Sequence, residues 1–329
     1  MPNESPSVHR IKEILGKYSI APVRNWLKQH DLASTMGSRD AMVERVHGLI
    51  EKGELSEAEL VGAAIGIEEA SSKRTFLFRI PNDSTNLAKI DHQLASLNVP
   101  LTTERIPSTA PTSKPKLVYA INTPACFRAK WNEKHTRVRA NKKSRTFEDA
   151  VAPKVIVLIV NKDTGIVQIR YDKPDDVHWH VEDDQPSDQA YFDYFKEQAE
   201  SLTGLPLEPV DFREGLERVL KTEPWVVRTN YTVDDTEESR TKRTQKNPEK
   251  DIRDTAEWKR IAQDRMVRTF EEAPLWWIPE MSQGHLKRRL FCYVDADNGF
   301  IRFDANCNED EIEYVLHQLV PESAAAAIA

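Results

Sequence analysis

Apolar residues recur at intervals of three and four through the first seventy positions, which is the period of amphipathic helices. The pattern predicts four helices, around residues 11–15, 23–27, 42–50 and 55–70. Pro22 suits the first turn of the second helix, and Ser38 suits the N-cap of the third. Ser56 and Glu59 have the spacing of a capping box at the start of the fourth helix.

Strand patterns appear after residue 72. The first strand is predicted at residues 73–80, a helix follows over 84–97, and the Pro-, Ser- and Thr-rich residues 107–116 predict a linker or mobile loop. Further strands are predicted at residues 116–122, 127–131, 135–140, 154–160 and 166–171. A helix over residues 187–204 ends at a glycine. Mixed charges without apolar periodicity over residues 233–251 predict a long exposed loop.

Two stretches resemble each other, VNKDTGIVQIRYD at residues 160–172 and VDADNGFIRFD at residues 294–304. Each predicts a hairpin with an Asp-x-Gly turn, and each is followed by a helical pattern. The similarity has two interpretations, a duplicated unit or the common chemistry of hairpin turns, in which glycine reaches positive φ at little cost. We favour the second interpretation.

These elements predict an α+β fold. A small helical module occupies residues 1–72, and a strand-helix connector with the Pro/Ser-rich linker occupies residues 73–115. An α+β body with antiparallel sheets and two hairpin-helix units occupies residues 116–329.

Composition indicates a folded protein from inside the cell. Hydrophobic residues make up 39% of the chain and charged residues 30%, which suits globular domains. The sequence contains no apolar run of about 18 residues and no secretory leader, so we expect no membrane association and an intracellular location, either cytoplasmic, nucleoid or nuclear. The 3 cysteines lack CxxC spacing, which argues against a disulfide framework or a zinc ribbon.

Positive charge is concentrated in one segment of a chain whose formal net charge is −7. Residues 127–145 hold eight basic residues against one acidic residue, Glu133. The basic residues are Arg128, Lys130, Lys134, Arg137, Arg139, Lys142, Lys143 and Arg145. Because alternate residues of a strand share a face, the segment predicts a ribbon with a cationic face that suits a phosphate backbone. The alternative is a solvated edge strand, kept basic to prevent sheet-to-sheet aggregation.

Aromatic residues offer two further candidates. Phe127 and Trp131 lie within the basic segment and could stack on exposed bases, although core packing is the favoured interpretation. Trp276 and Trp277 are adjacent, so on a strand one would face outward and mark a protein interface. Packing of both residues in the core is the alternative.

Residues 18–50 resemble a SAP domain, the short helix-extended turn-helix module of chromatin-associated and DNA-repair proteins. The resemblance lies in SIAPVRNWLKQHDL, which follows the first helix of that family, and in TMGSRDAMVERV, where Gly37 takes the place of the turn glycine. It covers roughly a tenth of the chain and implies DNA binding. The family commonly has two basic residues after the glycine, whereas here Ser38 and Arg39 are followed by the acidic Asp40, which predicts a weaker affinity for DNA.

The physics of this module supports the same interpretation. Gly37 and Ser38 precede a helix whose N-terminal N–H groups can bind a phosphate. The guanidinium group of Arg39 would add positive charge to this site. Arg24 and Lys28 are four positions apart and therefore neighbours on one helix face. The alternative is a solvated helix surface.

The sequence gives little support for catalysis or metal binding. It contains no GxxxxGK[ST], GxSxG or HExxH motif. Asp163, Asp172 and Lys173 are only loosely suggestive of a nuclease, and His178 and His180 have no third metal ligand at a recognisable spacing. We expect no cofactor and no metal, and favour a protein without catalytic activity.

The sequence therefore predicts a protein that binds double-stranded DNA through its phosphates, with little sequence preference, in a recruitment or architectural role. Its body would dock a protein partner or form a homo-oligomer. The alternatives are a DNA-processing enzyme tethered by the SAP-like module, and a protein-interaction scaffold whose basic ribbon meets an acidic partner.

Overall fold

The computed structural model describes residues 11–12, 14–15, 20–29, 38–81, 87–108, 112–141, 146–172, 187–222, 226–228, 230–236, 239–244, 250–263, 272–304 and 306–320. Its helices are α1 (Ile20–Gln29), α2 (Arg39–Glu51), α3 (Glu57–Ala70), α4 (Leu87–Ser96), α5 (Ser187–Thr203), α6 (Arg213–Thr222), α7 (Ala256–Gln263) and α8 (Glu309–Leu319). Its strands are β1 (Arg74–Arg79), β2 (Lys116–Asn122), β3 (Cys126–Asn141), β4 (Thr146–Asn161), β5 (Ile166–Tyr171), β6 (Glu208–Pro209), β7 (Val226–Arg228), β8 (Asn230–Thr236), β9 (Ser239–Thr244), β10 (Glu272–Trp277), β11 (Leu290–Asp295) and β12 (Phe300–Phe303).

Ten of these strands form one sheet in the order β2-β3-β4-β5-β1-β12-β11-β10-β7, with the short β6 beside β1. Every paired neighbour is antiparallel. The chain therefore has the α+β fold that the sequence predicts. β1 lies in the middle of the sheet, where Phe76 pairs with Ile169 on one side and with Phe300 on the other. Residues 73–115 thus supply a central strand of the body, and do not only connect it to the helical module.

Helices cover both faces of the sheet. Since neighbouring residues of β1 point to opposite faces, they pack against different helices. Phe78 faces α4 and α5, where it joins a buried cluster with Ile90 and Phe195. Leu77 faces α6 and α8, and joins a second cluster that includes Leu216 and Ile312. The core is therefore two apolar layers with the sheet between them.

The N-terminal helices have a smaller core of their own. Val23 of α1, Val46 of α2 and Leu60 of α3 are buried in one cluster. The Oγ atom of Ser38 accepts a hydrogen bond from the N–H group of Ala41 and so caps α2, as predicted. The predicted capping box at the start of α3 also forms.

The two similar stretches form the hairpins β4–β5 and β11–β12, and their inner strands β5 and β12 flank β1. Each turn contains a glycine in the left-handed region, Gly165 with φ +63° and Gly299 with φ +60°. The helix after the second hairpin, α8, packs on the face opposite to α5, which follows the first. Both interpretations of the sequence similarity predict two such hairpins, and both remain open.

Two predicted regions differ from the structure. Residues 127–131 and 135–140, predicted as two strands, belong to the single strand β3. Residues 233–251, predicted as a loop, contribute to the hairpin β8–β9, in which Val233 pairs with Thr241. Apolar periodicity reports a buried face, so a hairpin made mostly of polar and charged residues escapes detection by that signal.

The described helices include none that is long and apolar enough to cross a lipid bilayer.

Two helical glycines with different surroundings test the packing of α6 against α8. A Cβ atom on Gly215 of α6 would overlap the carbonyl oxygen of Leu319, whereas a Cβ atom on Gly62 of α3 would meet nothing within 4 Å. We predict that Gly215→Ala lowers the free energy of unfolding by about 1–3 kcal/mol through overpacking. Gly62→Ala should raise it by up to about 1 kcal/mol, because alanine favours the helix. Urea unfolding of both variants measures the difference, and equal effects would contradict the close approach of the two helices.

Candidate functional site

The strands β3 and β4 form a two-stranded ribbon that continues past their other partners in the sheet. The pairing of β2 with β3 ends at Asn132, and the pairing of β5 with β4 ends at Ile156. β3 and β4 continue to pair with each other from Lys134 opposite Pro153 to Asn141 opposite Thr146. At roughly 3.3 Å per residue, these eight pairs extend for about 25 Å.

Six of the eight basic residues of the basic segment fall in residues 134–145, which begin with the part of β3 in this ribbon. Lys134 is exposed at the base of the ribbon. Arg137 and Arg139 occupy register positions opposite Ala150 and Glu148. Lys142, Lys143 and Arg145 lie outside the described residues, between the paired ends of β3 and β4.

The other two basic residues, Arg128 and Lys130, point into the protein. The Nζ atom of Lys130 is fully buried and lies 2.5 Å from Oε2 of Glu68 and 3.6 Å from Oε1 of Glu69. The Nη2 atom of Arg128 lies 2.8 Å from Oε2 of Glu69 and 3.1 Å from Oε2 of Glu309. Both cations are neutralised by carboxylates of the covering helices, so the prediction that they contact an external phosphate is corrected.

The ion pairs of Arg128 and Lys130 are part of a larger polar cluster between the sheet and the helices α3 and α8. Arg170 of β5 is fully buried, and its Nη1 atom lies 2.9 Å from Oε1 of Glu309. The Tyr119 hydroxyl donates a hydrogen bond to Oε1 of Glu69 at 2.7 Å, and Arg105 lies 3.3 Å from Oε2 of the same carboxylate. The cluster thus ties the helices α3 and α8 to the strands β2, β3 and β5 through charge-assisted hydrogen bonds.

The ionisation of the cluster is set by competition between burial and charge. Burial raises the pKa of Glu309, but the charges of Arg170 and Arg128 outweigh burial and lower this pKa to about 2. Burial raises the pKa of Tyr119 above its usual range, and the negative charge of Glu69 raises it further. These shifts favour an ionised Glu309 and a neutral Tyr119 hydroxyl at neutral pH.

Sequence reasoning missed the acidic partners of this cluster. Glu68 and Glu69 lie in the last turn of α3, and Glu309 lies in the first turn of α8. The available signal was the alternation of Arg128 and Lys130 on one strand face. Their partners could not be assigned, because Glu309 is 181 positions from Arg128.

The predicted phosphate-binding site at the start of α2 lies partly within the described residues. Ser38 is exposed, Arg39 is half-buried, and Lys28 of α1 is exposed. Arg24 of α1 is half-buried and takes part in interactions within the protein. Gly37 lies outside the described residues.

The aromatic candidates divide between core and surface. Phe127 and Trp131 are buried in the cluster beneath α4 and α5, which confirms core packing and excludes base stacking. Trp277 is fully buried, and its Nε1–H donates a hydrogen bond to Sγ of Cys292, so it cannot form an exposed interface. Trp276 is half-exposed and packs against Phe291, with ring centroids 4.9 Å apart.

The described residues include the three cysteines but only some of the other candidates for chemistry. Burial raises the pKa values of the Cys126, Cys292 and Cys307 thiols, which disfavours the thiolate form. Within the described residues, no group of three or more His, Cys, Asp and Glu side chains could hold a metal ion. His178 and His180 lie outside those residues.

A cleft of about 1200 Å³ runs between residues 280–287 and α8. The His285 and Tyr314 rings are stacked within it at 5.3 Å, and His317 and Glu280 also line it. Glu313 lies on its wall but already pairs with Arg170. The cleft offers polar and aromatic contacts without an arranged nucleophile and base.

The chain was compared with protein-family models and with curated proteins, and neither comparison finds a match.

The buried Lys130 should be far more important for stability than an exposed ion pair. Lys130→Ala leaves Glu68 and Glu69 buried with less compensation, and we expect it to lower the free energy of unfolding by about 3–5 kcal/mol. As a control, Arg79→Ala removes the exposed pair with Glu208, at a cost of no more than about 1 kcal/mol. Urea unfolding compares the two variants, and a similar cost for both would contradict the buried cluster.

The acid stability of the protein should depend on Glu309. Since folding lowers the pKa of this group from 4.5 to about 2, its contribution to stability is complete above pH 4.5 and is lost as the pH falls towards 2. We predict that the free energy of unfolding of Glu309→Gln falls less steeply than that of the native chain over this range. Urea unfolding at successive pH values measures both curves, and parallel curves would argue against an ionised Glu309 in the cluster.

Proposed function

We propose that this protein binds double-stranded DNA through the ribbon formed by β3 and β4, with little sequence preference. The observation that carries the proposal is the continuation of this two-stranded ribbon beyond the sheet, in the part of the chain where basic residues are most concentrated. The exposed start of α2 would supply a second phosphate contact.

The dimensions of the ribbon suit a DNA groove. The major groove of B-DNA is about 12 Å wide and admits a two-stranded ribbon. The paired part of the ribbon is about 25 Å long, about twice the width of this groove, so it is long enough to lie along or across the phosphate backbone.

The charge of the ribbon also supports this proposal. Residues 134–145, which comprise the part of β3 in the ribbon and the four residues after it in the sequence, contain six basic and no acidic residues, whereas the chain as a whole has a net charge of −7. The return strand contributes Glu148 opposite Arg139, and Asp149 opposite Val138. A positive excess on a long, narrow element lets phosphates approach while the anionic remainder of the protein stays distant, so binding should depend strongly on salt.

The helical module adds the contacts that its resemblance to a SAP domain implies. Ser38 begins α2 with an exposed helix N-terminus, where N–H groups and the helix dipole favour an anion. Arg39 and Lys28 are cations of the same module. Such contacts position DNA without reading its bases, which is why we expect little sequence preference.

Removal of two ribbon charges should weaken DNA binding and its dependence on salt. For Lys142→Ala/Lys143→Ala we expect a lower affinity for a short duplex. The slope of the logarithm of the binding constant against the logarithm of the salt concentration should also become flatter by about 2, since each lost phosphate contact contributes about 0.9. Fluorescence anisotropy titrations at several salt concentrations measure both quantities.

The matched control is Lys89→Ala/Lys259→Ala, which removes two exposed lysines of α4 and α7 and changes the net charge equally. The control should shift the affinity only slightly and keep the slope. If the ribbon variant keeps the native slope, the ribbon is not part of the interface. Absence of binding to any duplex at low salt would overturn the proposal as a whole.

A further inference from the structure

The part of the sheet formed by β10, β11 and β12 has one buried and one partly exposed face. Burial alternates strictly along β11, where Leu290, Cys292 and Val294 are buried and the residues between them are half-exposed. β12 has the same alternation, with Ile301 and Phe303 buried. An antiparallel sheet with one face on the core usually places polar residues on the other face.

Here the outer face carries aromatic side chains instead. Trp276, Phe291 and Tyr293 are half-exposed and belong to none of the buried clusters of the protein. Trp276 lies opposite Phe291 in the register, and their rings are tilted by 50°. Each of these three side chains keeps part of its surface in contact with water, and neighbouring aromatic surface of this kind can mark a binding site.

Arginines border these aromatic side chains. Arg302 lies opposite Tyr293 in the register, and its guanidinium carbon is 5.0 Å from the centroid of the Tyr293 ring. The half-exposed Arg74 lies opposite Arg302 on the neighbouring strand β1. The exposed Arg289 immediately precedes β11. Two aspartates share the same face, but both already accept hydrogen bonds, Asp295 from Asn298 and Asp304 from Arg302.

We propose that this aromatic face, formed by Trp276, Phe291, Tyr293 and Arg302, binds unpaired bases of single-stranded nucleic acid. Bases stack on exposed aromatic and guanidinium planes, and cations between such planes attract the phosphates that connect the bases. Phe291 and Tyr293 are two residues apart on one strand, about 7 Å, so each provides a separate stacking position. Bases within a duplex are already stacked and do not expose these planes, so the site is distinct from the ribbon in both place and ligand.

The test uses the full chain and two labelled probes with the same number of phosphates. One is an oligothymidylate of about 12 nucleotides, and the other is an abasic strand of equal length. We expect the native protein to bind the oligothymidylate about tenfold tighter than the abasic strand, because only the former can stack. Equal affinities would overturn the proposal, and this comparison needs no variant.

Variants then locate the site. Phe291→Leu/Tyr293→Leu should lower the affinity for the oligothymidylate about tenfold and leave that for the abasic strand unchanged, whereas Phe291→Tyr/Tyr293→Phe should retain binding. The control Tyr194→Leu removes a half-exposed aromatic residue of α5 and should have no effect on either probe. Circular dichroism checks that each variant is folded.

The same variants separate this proposal from its competitors. If Phe291→Leu/Tyr293→Leu binds the oligothymidylate as the native chain does but changes the mass measured by light scattering, the face is a protein interface and the proposal is overturned. Lys142→Ala/Lys143→Ala should retain the preference for the oligothymidylate over the abasic strand. Failure of duplex binding by the ribbon and failure of base stacking on this face are therefore distinguishable.

Discussion

The buried pairing of Glu68 and Glu69 with Arg128 and Lys130 is the contact on which the rest of the arrangement depends. The transfer of charges from water into a protein costs several kcal/mol per ion, and only a partner with good geometry offsets that cost. Once the pairs are formed, separating α3 from β3 would leave charges stranded in the interior. Because breaking the pairing is costly, it resists the separation of this helix from the sheet.

The position of α3 gives this contact a wider effect. Its first half carries Leu60 into the small core of the N-terminal helices, and its last turn carries the two glutamates into the cluster on the sheet. One rigid helix thus belongs to both parts of the chain. The ribbon begins next to this contact, since Arg128 and Lys130 precede Lys134 on the continuous strand β3.

The sequence predicts well those features that depend on neighbouring residues. The caps at Ser38 and Ser56 and the strands at residues 116–122 and 166–171 follow from local spacing, and the structure confirms them. It predicts poorly what depends on distant partners. Local spacing predicts that Arg128 and Lys130 can contact phosphates. It does not reveal their acidic partners, which lie in α3 and α8, far away in the sequence. For the adjacent tryptophans, alternation predicts that one faces outward, but only the register of β10 decides that it is Trp276.

The place of β1 in the sheet has a consequence for how the chain folds. Arg74 pairs with Arg302, which follows it by more than two hundred residues in the sequence. At the usual 5 to 20 residues per second, roughly ten to forty seconds of synthesis separate these two residues on the ribosome. During that interval one edge of a hydrophobic strand has no partner, which is the condition that chaperones relieve. Contacts between sequence-distant strands also slow folding, so the sheet should be completed only after β12 has been synthesised.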